Sequence, residues 1–264
     1  MSIIKNEFPI LEYDTSKKAI IEPNRKNKNH FLEYCVMTFF KEVLDNYLQN
    51  NKYSIIGEYR SEMKSFPIYK VKYGNMNICL IQAVVGSSSI AMMTDFLIGG
   101  GVKNIITCGS CGVLREIPAG DVIIPIKALR DEGASYHYLP PARDIILNKK
   151  VIYSIRNVLK RYGINYFECK TWTTDGFYRE TKEMVKYRTN EGCNVVEMEC
   201  ATIASIAKFR RIKFGQLLYS GDIILSNKKY DEREWFNNLN AREKLFYLSM
   251  ESILELFKNN NSIV

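Results

Sequence analysis

Short apolar segments alternate with segments of helical periodicity along most of the chain, and this alternation constrains the fold more than any single motif. Apolar residues at helical spacing predict helices, and short apolar runs bounded by glycine or polar residues predict strands. Alternation of the two is typical of an α/β domain built around a central sheet. Predicted helices cover 31–49, 86–101, 151–163, 179–192, 200–211 and 242–259, and predicted strands cover 66–74, 75–85, 103–108, 121–129, 164–174, 194–199 and 214–222.

No repeat, low-complexity tract or linker interrupts this alternation, so residues 1–264 are predicted to form a single domain. The two strands that meet at Gly74 and Asn75 are predicted to form a hairpin. In α/β sheets, ligands bind beyond the carboxyl ends of the strands. That rule selects four places for a site: the turn after Ile106, the loop after Thr174, the junction at 197–199, and Gly221 with Asp222.

The composition narrows the class of partner. A formal net charge of +8 would suit an anionic substrate or a nucleic acid, but the basic residues are scattered. Their densest patch, 24–30, lacks aromatic residues, which favours a solvated surface or a local anion site over a nucleic-acid face. No apolar run approaches the roughly 18 residues of a membrane span, and no signal peptide is visible. We therefore expect a cytoplasmic protein with no membrane or nucleic-acid partner.

Seven cysteines, an odd number in mostly apolar surroundings, predict reduced thiols. Cys108 and Cys111 form a C-x-x-C, but no helix-like sequence follows to lower a thiol pKa. Zinc would need two further ligands, and neither His30 nor His137 sits in a ligand pair. The sequence favours a tight glycine turn in which Ser110 and backbone amides can bind an anion, with no metal.

Glu197 and Glu199 interrupt the end of an apolar strand, immediately before a predicted helix. A carboxylate can accept hydrogen bonds from two adjacent hydroxyls, which suits the 2′,3′-diol of a ribose. The alternative is that the two charges only complement the positive end of the helix dipole.

Asp222 follows another apolar strand. It could act as a general acid if burial raised its pKa, or it could be an ordinary turn aspartate. Arg233 could steer that aspartate or lie in a solvated loop.

Taken in order, the segments CGSCGVL, GDVII, RDEGASYHY, TTDGFY, VVEMECATIAS and YSGD resemble the nucleoside phosphorylase/nucleosidase superfamily of the purine and uridine phosphorylase type. The resemblance extends from about residue 55 to residue 257. It implies one α/β domain with a central mixed, partly barrel-like sheet flanked by helices. It also implies inorganic phosphate as co-substrate, no metal or organic cofactor, and a homo-oligomer, dimer or hexamer, with active sites at subunit contacts.

The resemblance assigns roles by position. It implies that a phosphate anion attacks the ribose while an acid of the enzyme protonates the leaving base. The ribose would be bound by Glu199, Met198 and Glu197, of which Glu197 would either touch the diol or support the pocket. The base would be bound by Phe177, Gly112 and Val196, and the phosphate by Ser110, Gly109, Thr107, Arg25 and Lys64, with Asp222 as the acid and Arg233 beside it.

Two departures bear on phosphate binding. Thr107 stands where phosphorylases of this family usually have an arginine, and residues 22–26 replace the usual N-terminal phosphate loop, with Arg25 as a substitute cation. Lys64 falls where the family often has an arginine that reaches a neighbouring subunit. Hydrolytic relatives also lack the turn arginine, so a nucleosidase, with Glu22 as a candidate to activate water, is an alternative.

The base is a second open point. Uridine phosphorylases typically use a glutamine and an arginine where this chain has Thr181 and Glu183, and Asp222 indicates a purine. The segment GASYHY is closer to the uridine type. The sequence therefore predicts phosphorolysis of a purine ribonucleoside to base and ribose 1-phosphate. The alternatives are a uridine or pyrimidine phosphorylase, a nucleosidase, and a catalytically weak nucleoside-binding protein.

Overall fold

The computed structural model describes residues 2–23 and 30–261. Strands and helices alternate through this part of the chain, as the sequence predicts. The elements are β1 (Ile3–Ile4), β2 (Tyr13–Asp14), β3 (Tyr34–Thr38), α1 (Lys41–Asn50), β4 (Tyr53–Arg60), β5 (Ser65–Tyr73), β6 (Met76–Gln82), α2 (Ser87–Gly99), β7 (Asn104–Val113), β8 (Val122–Asp131), β9 (Asp144–Ile146), α3 (Lys149–Arg161), β10 (Tyr166–Thr174), α4 (Lys182–Asn190), β11 (Cys193–Glu197), α5 (Cys200–Arg210), β12 (Lys213–Ile223) and α6 (Leu239–Asn261).

All of these strands except β1 and β2 belong to one mixed sheet, in the order β11-β10-β8-β12-β7-β3-β6-β5-β4, with β9 paired to β8. The first strand of this order also pairs with β7, where Val195 lies opposite Val113 and Val196 opposite Gly112. This pairing closes β7, β12, β8, β10 and β11 into a five-stranded barrel. The predicted mixed, partly barrel-like sheet is confirmed.

The helices cover both the barrel and the open part of the sheet. The C-terminal helix α6 packs on α3 and on strands β3, β7 and β12. Helix α5, buried along most of its length, lies between α2 and the barrel. Gly163 and Gly192, which are predicted to stop α3 and α4, have φ angles of +62° and +88°, as a helix-terminating glycine requires. Within residues 2–23 and 30–261, no helix is long and apolar enough to cross a bilayer.

The predicted helix over 31–49 is wrong in its first half. Residues Tyr34–Thr38 form the strand β3, and a helix begins only at Lys41. All five residues of this strand are buried, and the strand lies inside the sheet between the parallel neighbours β6 and β7, with α6 packed on it. A continuous apolar run of this kind cannot be told from a buried helical segment by periodicity. The hairpin at Gly74 is confirmed, with Tyr73 opposite Met76.

The predicted turn after Ile106 is also wrong. Strand β7 continues without a turn to Val113 and carries the whole CGSCG segment. Its glycines allow close approach of side chains from other elements. A Cβ on Gly109 would lie 3.0 Å from the ring of Phe39, and one on Gly112 would lie 2.6 Å from Ile224. Glycine in this strand therefore makes space in the barrel instead of bending the chain.

Candidate active site

A cavity of about 410 Å³ lies where β7, β11 and β12 end. Its volume is in the range of small-molecule sites, about 300–1,000 Å³. Three of its polar residues, Glu180, Gln216 and Arg242, were not predicted from the sequence, and neither were its aromatic walls apart from Phe177. The predicted site residues that line it are Gly109, Ser110, Gly112, Phe177, Val196, Glu197, Met198, Glu199 and Asp222.

Glu197 closes one wall of the cavity and is fully engaged by the protein. Its carboxylate accepts hydrogen bonds from the Thr173 hydroxyl at 2.6 Å, the Thr171 hydroxyl at 3.3 Å, and the amides of Glu199 and Cys200 at 2.8 and 2.7 Å. The two amides belong to the first turn of α5, where a carboxylate complements the helix dipole. Of the two predicted roles, support of the pocket fits these contacts better than contact with the diol.

Glu199 faces the cavity and is only 6% exposed. Its Oε1 accepts a hydrogen bond of 2.6 Å from the amide of Gly86, the residue before α2. Burial, and then the nearby charge of Glu197, raise the pKa of the Glu199 carboxyl to about 8. A buried carboxyl with so few protein donors can accept hydroxyl groups from a ligand.

Asp222 lies in the penultimate position of β12 and is 7% exposed. A Cβ on Gly112 would lie 3.4 Å from its Oδ1, so the glycine leaves space in front of the carboxyl. Burial raises the pKa of Asp222, while a hydrogen bond from Tyr230 and the charge of Arg233 reduce the shift. The raised pKa favours the protonated form that a general acid requires.

Arg233 does not line the cavity. Its Nε donates to the carbonyl of Gly221 at 2.6 Å and its Nη1 to the carbonyl of Ile117 at 2.7 Å. The arginine therefore holds the backbone next to Asp222, which fits a role in positioning the acid, and its predicted catalytic role stays a prediction.

Glu180 is a fourth carboxyl in the cavity, after Glu197, Glu199 and Asp222, and it has no hydrogen bond or ion pair to any other residue of the described chain. Burial, and then the charge of Asp222, raise the pKa of Glu180 to about 8. The sequence predicts that this residue lies inside a helix over 179–192. The helix begins only at Lys182, so Glu180 lies in the preceding loop beside Phe177.

The predicted phosphate-binding residues that lie in the described part of the chain do not all come together. Ser110 and Gly109 line the cavity, whereas Thr107 is fully buried outside its lining. Lys64 also lies outside it, in an exposed loop where its Nζ donates to Gln82 Oε1 at 3.2 Å. Its proposed reach into a neighbouring subunit stays a prediction, and Arg25 lies outside the described residues.

Phe39 and Phe40, directly after β3, line the cavity, whereas Glu22 does not. Glu22 accepts a hydrogen bond of 2.6 Å from the amide of Ala19 and lies 3.8 Å from the guanidinium of Arg210. The suggestion that Glu22 activates a water molecule is therefore wrong for the cavity of its own chain.

The C-x-x-C provides no exposed thiol. Cys108 and Cys111 are both free and buried, and burial raises the pKa of the Cys108 thiol to about 11. A thiol of this kind is a poor nucleophile at neutral pH. Among the residues that the structure describes, no group of three or more His, Cys, Asp or Glu is arranged to hold a metal ion.

Glu199 and Glu180 predict a pH dependence of stability. Both pKa values rise to about 8 in the folded protein from an ordinary 4.5. Between these values the unfolded chain binds fewer protons than the folded chain, so the free energy of unfolding falls as pH rises from about 5 to 8. We expect the Tm of the ligand-free protein to fall over this range, and Glu199→Gln and Glu180→Gln each to flatten the decline. Thermal melts from pH 5 to 8.5 test this, and a wild-type Tm that rises across the range would contradict it.

The sequence and the fold have recognisable relatives. A family model described as the phosphorylase superfamily matches residues 33–248. A purine nucleoside phosphorylase of Plasmodium vivax is 26% identical over 206 residues, which cover 76% of this chain and 82% of that protein.

Solved structures share the fold. A purine nucleoside phosphorylase from Toxoplasma gondii matches with a TM-score of 0.76 and 18% identity, over 90% of this chain and 96% of that one. An AMP nucleosidase from Bacteroides thetaiotaomicron matches with a TM-score of 0.69 and 26% identity, over 88% and 91% of the two chains. Because the family match spans most of the residues that build the barrel and its cavity, this chain belongs to the phosphorylase superfamily.

Proposed function

We propose that this protein is a nucleoside phosphorylase that cleaves the N-glycosidic bond of a purine ribonucleoside with inorganic phosphate. The observation that carries the proposal is that Glu199 and Asp222, a hydroxyl acceptor and an acid, face the same cavity. A catalytically weak binding protein would not need a buried acid beside the place where a base would leave.

In the proposed mechanism the ribose lies against Met198, and its two hydroxyls donate to Glu199. These donors stabilise the carboxylate form, so nucleoside binding lowers the pKa of Glu199 from its ligand-free value of about 8. Phe177 stacks on the base, between the sugar site and Asp222.

The chemical step breaks the bond between C1′ and the base nitrogen, and the electron pair leaves with the base. Protonated Asp222 donates its proton to a ring nitrogen of the base, which departs neutral. Positive charge develops on the ribose, and a phosphate oxygen bonds to C1′ to give ribose 1-phosphate. Asp222 recovers a proton from solvent before the next turnover.

A purine is favoured over uracil by two positions. Thr181 accepts a hydrogen bond from the Met184 amide at the start of α4, and Glu183 is exposed on the same helix. Neither residue lines the cavity, where uridine phosphorylases would use a glutamine and an arginine. Asp222 and Glu180 remain as the polar groups on the base side.

A nucleosidase is the second candidate. Thr107 takes the position of the usual phosphate-binding arginine, and Phe39 and Phe40 make the nearby wall apolar. The likeness to an AMP nucleosidase at 26% identity supports the same alternative. In this case water would attack C1′ and free ribose, or its 5′-phosphate, would be released.

The test is cleavage of inosine, adenosine, guanosine and uridine, each with and without inorganic phosphate. We expect release of purine base and ribose 1-phosphate only when phosphate is present. Release of free ribose without phosphate would identify a nucleosidase, and a preference for uridine would overturn the assignment of the base.

We also propose that the protein acts in the cytoplasm as a homo-oligomer, a dimer or hexamer. The exposed Lys64 in the β4–β5 loop is a candidate to reach a neighbouring cavity, and the free, buried cysteines suit a reducing compartment. Light scattering combined with activity measurement tests the assembly, since a fully active monomer would contradict it.

A further inference from the structure

The end of the cavity next to Ser110 contains a buried arginine that sequence analysis did not select. Arg242 lies in the first turn of α6 and is 6% exposed. Among the described residues that line the cavity, it is the only Lys, Arg or His. A cation in this position is available to an anionic ligand without any contribution from Thr107.

Arg242 and Ser110 are neighbours because both bind one phenol oxygen. The Arg242 Nε donates to the hydroxyl of Tyr219 at 3.4 Å, and the Ser110 hydroxyl also forms a hydrogen bond with Tyr219. The Tyr219 hydroxyl in turn donates to the carbonyl of Trp235 at 2.6 Å. The phenol thus fixes a serine hydroxyl and a guanidinium side by side at the cavity wall.

The guanidinium keeps donors for a ligand. Its Nη1 pairs with Glu42, and its plane lies over the rings of Phe40 and Phe236, with centroids at 5.1 and 4.9 Å. No partner is found for its Nη2 within residues 2–23 and 30–261. Two aromatic rings and one carboxylate therefore fix the orientation of Arg242 while part of its planar fork remains available.

Gln216 supplies an independent observation. It lines the cavity, is 1% exposed, and its Oε1 has no hydrogen-bond partner in the described chain. In the register of β7 and β12 it lies opposite Thr107, whose buried hydroxyl likewise has no partner there. A buried acceptor without a partner is destabilising by about 1–3 kcal/mol, and a ligand that carries a donor, such as the P–OH group of hydrogen phosphate, would relieve this.

We propose that Arg242, Ser110 and Gln216 form a subsite for a phosphoryl oxyanion, in which Arg242 provides the charge that Thr107 cannot. The planar guanidinium suits two oxygens of a phosphoryl group, and the start of the 23-residue helix α6 adds a favourable dipole. The phosphoryl group is either free inorganic phosphate or the 5′-phosphate of a nucleotide substrate. The first source rests on the proposed phosphorolysis, and the second does not.

The experiment compares Arg242→Gln, Arg242→Lys and Glu42→Gln with the wild-type protein. Removal of the charge in Arg242→Gln is expected to raise the KM for phosphate about 10- to 100-fold and to change the KM for the nucleoside less than about 2-fold. Arg242→Lys keeps the charge but loses the fork, so an intermediate KM for phosphate is expected. Glu42→Gln frees the guanidinium and is expected to lower the KM for phosphate.

A purely structural arginine would not give opposite signs in Arg242→Gln and Glu42→Gln. Arg161→Gln is the matched control, because Arg161 also ties α6 to the rest of the fold, through Glu251 and Glu255 at 3.0 and 2.9 Å, but lies outside the cavity. Its KM for phosphate should equal that of wild type. The rise in Tm of the nucleoside-free protein on addition of phosphate gives a second readout, which Arg242→Gln should abolish.

A second arm uses nucleoside 5′-monophosphates without phosphate. If wild type ignores phosphate but cleaves a monophosphate whose KM rises in Arg242→Gln, the subsite is supported and the proposed phosphorolysis is wrong. If the wild-type protein needs phosphate and Arg242→Gln leaves the KM for phosphate unchanged, the proposed subsite is overturned while the proposed phosphorolysis stands. A KM that rises equally for nucleoside and phosphate in Arg242→Gln would also overturn the subsite.

Discussion

Glu199→Gln is expected to lower kcat/KM for ribonucleosides by about 10²- to 10⁴-fold, because two charge-assisted hydrogen bonds to the ribose are lost at about 1.5–3 kcal/mol each. The substitution keeps the size of the side chain and its contact with the amide of Gly86. Steady-state kinetics with a purine ribonucleoside and with its 2′-deoxy analogue measure the effect. The loss should be smaller for the analogue, which lacks one of the two hydroxyl donors.

The pH profile distinguishes this role from simple packing. Because the pKa of Glu199 is about 8, the Glu199 carboxyl is protonated in most molecules of the ligand-free protein at neutral pH. Since the ribose hydroxyls favour the carboxylate, the KM for the nucleoside should fall as pH rises toward 8 in wild type and stay flat in Glu199→Gln. An equal loss on ribose and deoxyribose substrates would contradict direct binding of the diol by Glu199.

The predicted site residues that line the cavity share a local signature. Glu197, Met198 and Glu199 follow a short apolar strand, and Asp222 ends another, so the general rule for α/β sheets brings them to one edge of the barrel. Ser110 also lines the cavity, although the structure places it in strand β7 and not in the predicted turn. For these positions, the local pattern and the order of segments along the chain were sufficient to predict that they lie at a common site.

The residues that were missed depend on contacts between distant segments. Arg242 reads as one polar position of an amphipathic helix, and only the packing of α6 against β7 and β12 brings it beside Ser110. Phe39 was not predicted to lie at a strand end, because strand β3 and helix α1 form one apolar run that the periodicity predicts to be a single helix. Gln216 lies inside an apolar strand, where nothing in the sequence indicates which face meets a cavity.

The cavity also illustrates a general cost of function. Glu180, Glu199 and Asp222 are carboxyls with pKa values raised by burial, which is unfavourable for the ligand-free fold at neutral pH. A protein without a ligand to bind would gain stability by replacing them with apolar residues. Their presence together in one cavity therefore supports a polar ligand that makes several hydrogen bonds.

Asp222→Asn is the substitution expected to separate acid catalysis from binding. The amide keeps the shape of the carboxyl but has no proton to give to the base, so kcat for purine nucleosides should fall by about 10²- to 10⁴-fold with little change in Tm. Because burial raises the pKa of Asp222, wild-type kcat should decline on the alkaline side as the acid ionises, and the residual activity of Asp222→Asn should not follow that decline.

The matched substrate is a purine nucleoside methylated at N7, whose base already carries the positive charge that protonation would create. Its bond to C1′ breaks without a proton donor, so Asp222→Asn should retain most of its activity on this substrate. Leu218, which lines the same cavity without a polar group, provides a control in Leu218→Met, which should affect both substrates alike. If Asp222→Asn lost activity equally on the methylated and unmethylated nucleosides, Asp222 would act by shaping the pocket and the acid would have to be sought at Glu180, the other buried carboxyl on the base side.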